Sequence, residues 1–327
     1  MKKSDKILVT GGAGYIGSHT THALIESGFD VVIVDDLSTG FTRLIHPSAK
    51  FYNSTVLDTE TICDILTQNE ISGVIHFAAK IIIPESIKMP IEYYKNNTLG
   101  TLSMLEACKM ASVKNFVFSS TAAVYGNAST EPVEESKHCT PLNPYGFSKY
   151  FSEQIIQDSE IDFGLKSIIL RYFNVAGASE SLKYGQLSKD ATHLIKIAVE
   201  TALDKRETIS ITGTDYSTPD GTGVRDYIHV EDLADAHVLA MKYLLEGGKS
   251  EILNCGYGHG SSVREVINTI KKVSGVNFNV TESARRTGDI SKIIADSQKI
   301  RRVLGWQPKR DNLETICRSA FLFEKSL

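Results

Sequence analysis

The sequence predicts a doubly wound, parallel α/β sheet of the Rossmann type, with a smaller lobe interleaved in its C-terminal half. Three observations carry this expectation. Apolar runs of four or five residues alternate with helical segments, a glycine-rich turn joins the first run to the first helix, and an aspartate closes the second run. Strands buried on both faces read as continuous Val/Ile runs, and helices between them imply parallel crossovers.

Taken in order, Lys6 to Thr10 reads as a short buried strand, and a helix is expected from Tyr15 to Ser27, ended by Gly28. Val31–Val34 is a second strand and Gly73–Phe77 a later one. Leu99, Leu102 and Leu105 recur at helical spacing between Asn97 and Met110. Strands follow at Asn115–Phe118 and Ser167–Leu170. Beyond Gly177 the texture loosens: Ser179–Asp190 is polar, Thr214–Gly223 holds a proline and two glycines, and helices fall at His193–Leu203 and Glu231–Leu245. The expected division is a dinucleotide-binding unit over 1–176, with about 224–246 returning to it, and a substrate-binding lobe over 177–327.

Composition narrows the function classes. At roughly 150 residues per domain, a chain of 327 suggests about two. Apolar residues at 42% and charged residues at 23% are ordinary globular values, which exclude collagen, long coiled coil and global disorder. A net charge of −4 is no footprint for nucleic acid. No apolar run nears the ~20 residues of a membrane span. The basic stretch Met1–Lys6 leads into only three apolar residues, too few for a secretory signal. Three formal glycosylation sequons, at Asn53, Asn96 and Asn127, therefore read as chance. Five scattered cysteines without a CxxC pair fit neither a disulfide framework nor a zinc site, so no metal is expected and the compartment expected is the reducing cytoplasm.

Two constellations carry chemistry. Thr10-Gly11-Gly12-Ala13-Gly14-Tyr15-Ile16-Gly17 places GxGxxG directly after a strand and at the opening of a helix. Such glycines permit a tight turn and close approach of backbone to a pyrophosphate, which then meets the helix N-terminus. Asp35, eighteen residues after Gly17, ends the next strand, where a carboxylate accepts both ribose hydroxyls of adenosine and repels a 2′-phosphate. That favours NAD over NADP; the plainer alternative is an aspartate starting a loop. Tyr145 and Lys149 lie four residues apart on a predicted helix and share a face. An ammonium beside a phenol favours phenolate, so Tyr145 is a candidate acid/base with Thr121 as partner, although an isolated pair of this kind is common on surface helices.

These residues, with Pro84-Glu85-Ser86, Val124-Tyr125-Gly126, Arg171-Tyr172-Phe173-Asn174, the block Asp220 to Val230, and Arg286-Thr287-Gly288-Asp289, give the chain a resemblance over almost its full length. It resembles the extended short-chain dehydrogenase/reductase family, and within it the UDP-glucose 4-epimerase group. The resemblance implies Tyr145, Lys149 and Thr121 as the catalytic group. For the cofactor it implies Gly11, Gly14, Tyr15, Ile16, Gly17 and Asp35, then Phe77, Ala78, Ala79, Asn96, Ser119 and Tyr172, together with Tyr145 and Lys149. For a UDP-sugar it implies Asn174, His193, Arg225, Arg286, Asp289 and Ile293 beside Thr121 and Tyr145. It also implies a homodimer built on Asn97–Met110 and the helix after Pro144.

Several positions depart from that pattern. Ser54-Thr55-Val56-Leu57 lacks the aspartate expected over the adenine, Ile81 replaces an expected lysine with Lys80 one residue earlier, and Thr212 replaces an aromatic near the uracil. His193 stands where asparagine is usual, and reads equally as a structural histidine. Isoleucine at 293 falls between the tyrosine that excludes N-acetylated sugars and the small residues that admit them.

The implied reaction is inversion at C4 of a UDP-hexose through a transient ketone, without net redox change, hence an isomerase. A 4,6-dehydratase would carry an Asp-Glu pair where Ala122-Ala123 stand. A 4-epimerase of UDP-N-acetylglucosamine or UDP-glucuronate, and a non-catalytic dinucleotide sensor, are the alternatives.

Overall fold

A computed structural model describes residues 5–127, 132–188, 191–285 and 290–327. The chain opens with β1 (Lys6–Thr10), α1 (Tyr15–Glu26), β2 (Asp30–Asp35), β3 (Lys50–Asn53), α2 (Thr59–Gln68) and β4 (Gly73–His76). Next come α3 (Ile83–Lys88), α4 (Pro90–Tyr93), a π-helix (Tyr94–Leu99), α5 (Gly100–Met110), β5 (Asn115–Ser119), a 3₁₀ turn (Ala122–Tyr125), α6 (Pro144–Phe163) and β6 (Lys166–Tyr172). The remainder is β7 (Asn174–Ala176), α7 (Leu194–Ala202), β8 (Ile209–Thr212), β9 (Val224–Arg225), β10 (Tyr227–His229), α8 (Val230–Leu245), β11 (Glu251–Cys255), β12 (Ser261–Ser262), α9 (Val263–Ser274), β13 (Val280–Ser283), β14 (Lys292–Ile293), α10 (Gln298–Leu304) and α11 (Leu313–Lys325).

Seven strands form one parallel sheet in the order β11-β6-β5-β4-β1-β2-β3. Alternation along each strand divides the apolar residues between the two faces. Ile7, Val9, Val31, Ile33, Ile75, Val117 and Ile168 join the core beneath α1 and α8. Leu8, Val32, Val34, Val74, Phe116, Phe118 and Ile169 join the core beneath α2, α5 and α6. The Rossmann-type architecture expected from the Val/Ile runs is the one observed. Strand order changes direction between β1 and β4, so the crevice at their C-terminal ends is the switch point where ligands of such sheets bind.

Polar residues at element ends explain the boundaries. Asn143 caps α6 by accepting from the Gly146 amide at 2.9 Å, Pro144 fills the first turn, and Gly164 ends the helix in the left-handed conformation. Ser262 and Glu265 close a reciprocal capping box on α9.

The second half is threaded through the first. After β6 the chain leaves to build β7, α7, β8, β9 and β10, then returns with α8, which packs on α1, before β11 completes the sheet edge. Outside the main sheet, β8 pairs with β13, β7 with β10, and β9 lies between β12 and β14. Trp306 fastens this region: its ring is buried and Nε1 donates to the Asp232 carbonyl at 3.0 Å, while the Asp232 carboxylate accepts from Tyr257 Oη, from the Lys309 and Arg310 amides and from the Arg310 guanidinium.

Histidines give the fold an acid sensitivity. His19, His76 and His237 are at most 3% exposed, and burial lowers their pKa to about 4, 3 and 4. Their folded pKa values lie below the unfolded value, so they oppose folding only once the unfolded chain binds protons that the native state refuses. Stability is therefore full above pH ~6.5 and declines as pH falls toward 4. Each ring accounts for about 2 kcal/mol of loss by pH 5. Thermal midpoints measured from pH 7 to 5 should fall steadily, and His237→Gln should flatten the slope; a level profile in the parent would contradict neutral burial.

Candidate active site

The site assembles at the crevice, beginning with the turn after β1. Gly11 has φ +70°, and a side-chain carbon there would lie 2.8 Å from the Ala78 amide nitrogen. At Gly17 one would lie 2.2 Å from the Gly11 carbonyl oxygen. The turn is therefore closed to any larger residue. Gly14 precedes α1 with no side-chain cap and no acid in the first turn, leaving the amides of Tyr15, Ile16 and Gly17 facing outward as anion donors. These observations fit a dinucleotide pyrophosphate.

Asp35 ends β2 beside this cradle. One carboxylate oxygen accepts from the Ala13 amide at 3.0 Å and the other from the Leu37 amide at 2.9 Å. Burial raises its pKa while these amides lower it. The far wall is Phe77, Ala78 and Ala79 after β4, with the Phe77 amide on the Thr10 carbonyl at 3.1 Å.

The reacting end lies where β5 meets α6. Lys149 is buried, its Nζ donates to the Ser119 carbonyl at 2.8 Å, and it sits 4.7 Å above the Phe118 ring. Ser119 Oγ and Tyr172 Oη are 2.6 Å apart. Tyr145 is 7% exposed and hydrogen-bonds Thr121, whose hydroxyl also caps the 3₁₀ turn through the Ala123 amide at 3.1 Å. The tyrosine–lysine pair is thus an internal one and no surface pair. The protonation expected from spacing needs correction: burial pushes the Tyr145 phenol up to about 12, with Thr121 pulling it back, and burial lowers Lys149 to about 7. In the bare protein both groups are driven toward neutrality, because desolvation outweighs the Thr121 hydrogen bond at the phenol and the Glu153 charge at the amine.

The remaining expected residues are distributed as follows. Asn174 opens β7, and Arg225 on β9 pairs in register with Ile293 on β14. Ile293 is 5% exposed, packed with Ala122 and Phe173, so it touches the wall beside Thr121. It belongs to that packed wall and presents little free surface to a pocket. His193 precedes α7 and keeps exposed surface in a setting that still desolvates the ring and lowers its pKa. Arg286 and Asp289 lie outside the described residues.

Two residues escaped the sequence reading. Asn96 was expected at the cofactor, yet its neighbour Asn97 is the buried hub. Asn97 Oδ1 accepts from the Lys80 amide at 2.8 Å, and Nδ2 donates to the Lys80 carbonyl at 3.0 Å and Ser148 Oγ at 2.9 Å. Asn96 Nδ2 donates to that same Oδ1 at 3.1 Å. The π-helix over Tyr94–Leu99 rotates these side chains, and helical spacing alone does not reveal such a bulge. Tyr216 is the second: its ring packs against Gly213 beneath the Arg285 guanidinium, 4.2 Å away, close to the position where Thr212 replaces an aromatic. Among the described residues no group of three or more His, Cys, Asp or Glu is placed to hold a metal ion.

A glycine cradle at a Rossmann switch point, a carboxylate at the second strand and an internal Tyr–Lys–Thr group together define a dinucleotide-dependent enzyme of the α/β class. The chain belongs to the NAD dependent epimerase/dehydratase family, whose model matches residues 7–256. It is 48% identical over 324 residues to UDP-glucose 4-epimerase of Azospirillum brasilense, covering 99% of this chain and 93% of that one. Among solved structures it is similar to UDP-glucose-4-epimerase of Stenotrophomonas maltophila with bound NAD and formylated UDP-arabinopyranose, with TM-score 0.96, 36% identity and 98% of each chain covered. It is also similar to the UDP-Glc/GlcNAc 4-epimerase of Campylobacter jejuni, with TM-score 0.87, 44% identity, and 99% and 100% of the two chains covered.

Proposed function

We propose that the protein is an isomerase that inverts C4 of UDP-glucose and UDP-galactose with NAD held throughout the cycle. The observation that carries this is the internal Tyr145–Thr121–Lys149 group at the mouth of the glycine cradle, in a chain whose relatives bear this activity in their names. Bound NAD supplies a reversible hydride acceptor, so that C4 can pass through a ketone and return in either configuration.

The residues of this chain do the rest. The amides after Gly14 hold the pyrophosphate, and Asp35 takes the adenosine ribose hydroxyls and repels a 2′-phosphate. Phe77, Ala78, Ala79, Asn96, Ser119 and Tyr172 line the path to the nicotinamide. Tyr145 holds the proton leaving the sugar O4 and gives it back, with Thr121 bridging phenol and sugar hydroxyl. Lys149, an ammonium when the phenol is ionised, steadies that phenolate. Asn174, His193, Arg225, Arg286 and Asp289 grip the UDP end, so the sugar can turn over while the nucleotide stays anchored. We assign the dinucleotide to 1–176 with the return of about 224–246, and the UDP-sugar lobe to most of 177–327.

The homodimer reading is supported by an apolar face that the single chain leaves exposed. Ile87 on α3 and Ile91 on α4 are 63% and 76% exposed, and Leu99 on the π-helix, Leu102 and Met110 on α5, and Phe147 and Phe151 on α6 are exposed on the helices packed beside them. A face of this extent marks an association surface. Sedimentation at micromolar concentration should give twice the chain mass, and Phe151→Glu should return it to one. A cytoplasmic location is supported by five cysteines that are all unpaired; no helix among the described residues is long and apolar enough to cross a membrane.

The test is incubation with UDP-galactose and no external hydride acceptor: UDP-glucose should accumulate. Protein stripped of cofactor should recover with NAD and not with NADP. Tyr145→Phe should lose about 10²–10⁴-fold in turnover; near-parental turnover would remove Tyr145 from its role.

A second reading concerns range. Ile293 gives up the ring volume of a tyrosine while its branched carbon stiffens the wall, and the Campylobacter jejuni relative is named for both UDP-Glc and UDP-GlcNAc. Epimerisation of UDP-N-acetylglucosamine should be detectable and weaker. Ile293→Tyr should raise the ratio of kcat/KM for UDP-glucose over the N-acetylated sugar; an unchanged ratio would mean that Ile293 acts only as packing.

A further inference from the structure

The segment leaving β5 is held by α6 at three consecutive residues. Ser119 offers its carbonyl to Lys149, Thr121 its hydroxyl to Tyr145, and Ser120 donates its hydroxyl to Glu153 Oε1. Tyr145, Lys149 and Glu153 are spaced by four and share one face of the helix. The mechanism above uses the first two and leaves Glu153 without a task.

Glu153 is fully buried. Arg171 on β6 meets it with Nε at 3.0 and 3.2 Å from its two oxygens and Nη2 at 2.6 Å. The guanidinium continues through Nη1 to Tyr125 Oη at 3.1 Å, and Tyr125 donates to Asn254 Oδ1 on β11 at 2.6 Å. A buried ion pair costs desolvation, and apolar replacements of such pairs are often neutral or better for stability. This one stands one helical turn behind the lysine of the reacting group.

We propose that Glu153 is a positioning residue of the reaction: through Ser120 it fixes the strand end that carries Ser119 and Thr121, and its carboxylate supplies the negative charge against which Lys149 remains an ammonium. The proposal rests on the epimerase reading above. The surroundings leave this task to Glu153. Lys149 faces the Ser119 carbonyl and Phe118 ring from β5, His76 from β4, Tyr172 from β6 by way of Ser119, and Tyr145 from its own helix. None of these is a carboxylate. Glu153 itself faces Ser120, Arg171, which lies over the Tyr125 ring, and Cys139, whose thiol burial raises to about 11. Burial depresses Lys149, and Glu153 is the group that raises it again.

The experiment follows Lys149 directly in the NAD-loaded enzyme, by ¹³C NMR of lysine side chains labelled at Cε, with Lys149→Arg identifying the resonance. In Glu153→Gln the Lys149 transition should move down by about one pH unit or more, and kcat near pH 7 should fall about tenfold or more with KM little changed. Glu153→Asp, which keeps the charge, should restore the transition. Because Glu153→Gln strands a buried guanidinium, the double variant Glu153→Gln/Arg171→Gln provides a neutral core in which the downward movement should persist. A Lys149 transition unchanged in both charge-removing variants would overturn the proposal, as would equal loss of kcat in the Gln and Asp variants. Failure of the epimerase reading is read separately, from full turnover in Tyr145→Phe.

Discussion

Holding the Lys149 amine out of water is the constraint around which the candidate site is built. Lys149 reaches its carbonyl partner only because β5 ends where α6 begins its second turn, and Asn143 and Pro144 set that start. The carbonyl belongs to the same strand end that supplies Thr121. Helix, strand end and phenol therefore move together or not at all. The cradle for the dinucleotide obeys the same logic on the other side of the switch point, where Gly11 rests against the Ala78 amide without a side chain between them. Crossover geometry alone brings both halves of the site to one edge.

Desolvation acts on the pair in opposite senses, raising the phenol and lowering the amine. A pair shifted in this way costs less to bury than two full charges. In the reaction we propose, charge on the pair is favoured by what enters the cleft and by the carboxylate behind it, which concentrates electrostatic work in the moment of reaction. The long hydrogen-bond chain from Glu153 through Arg171 and Tyr125 to Asn254 ties that pair to the far edge of the sheet.

The central strands were legible because a parallel sheet buries both faces and so writes Val and Ile without interruption, as at Val31–Val34 and Ile168–Leu170. The edge strands were not. β3 reads Lys-Phe-Tyr-Asn with no residue fully buried, and β11 carries only two strongly apolar residues before Asn254. The glycine turn, Asp35 and the Tyr145/Lys149 spacing could be read because each is a fixed distance along one element. Asn97 could not, since a π-helix shifts the register by an amount no periodicity records. Glu153 was silent for a different reason: a glutamate on a helix ordinarily faces water, and its burial depends on Arg171, eighteen residues away on another element. Ile293 illustrates the limit from the other side, for its contact with the wall beside Thr121 arises from a two-residue strand.

The interleaving of the lobe bears on how the molecule can be made. β11 completes the main sheet only after residues 174–245 have built β7 to β10 and α8, so a ribosome must release most of the lobe before β6 acquires its neighbour. An emerging chain of about 176 residues would present β6 as a bare sheet edge and leave the α1 side of the sheet without α8 to cover it. The two halves of the chain thus complete one sheet between them, and a gene fragment ending at the first half would expose that edge and face to aggregation in place of yielding a portable module.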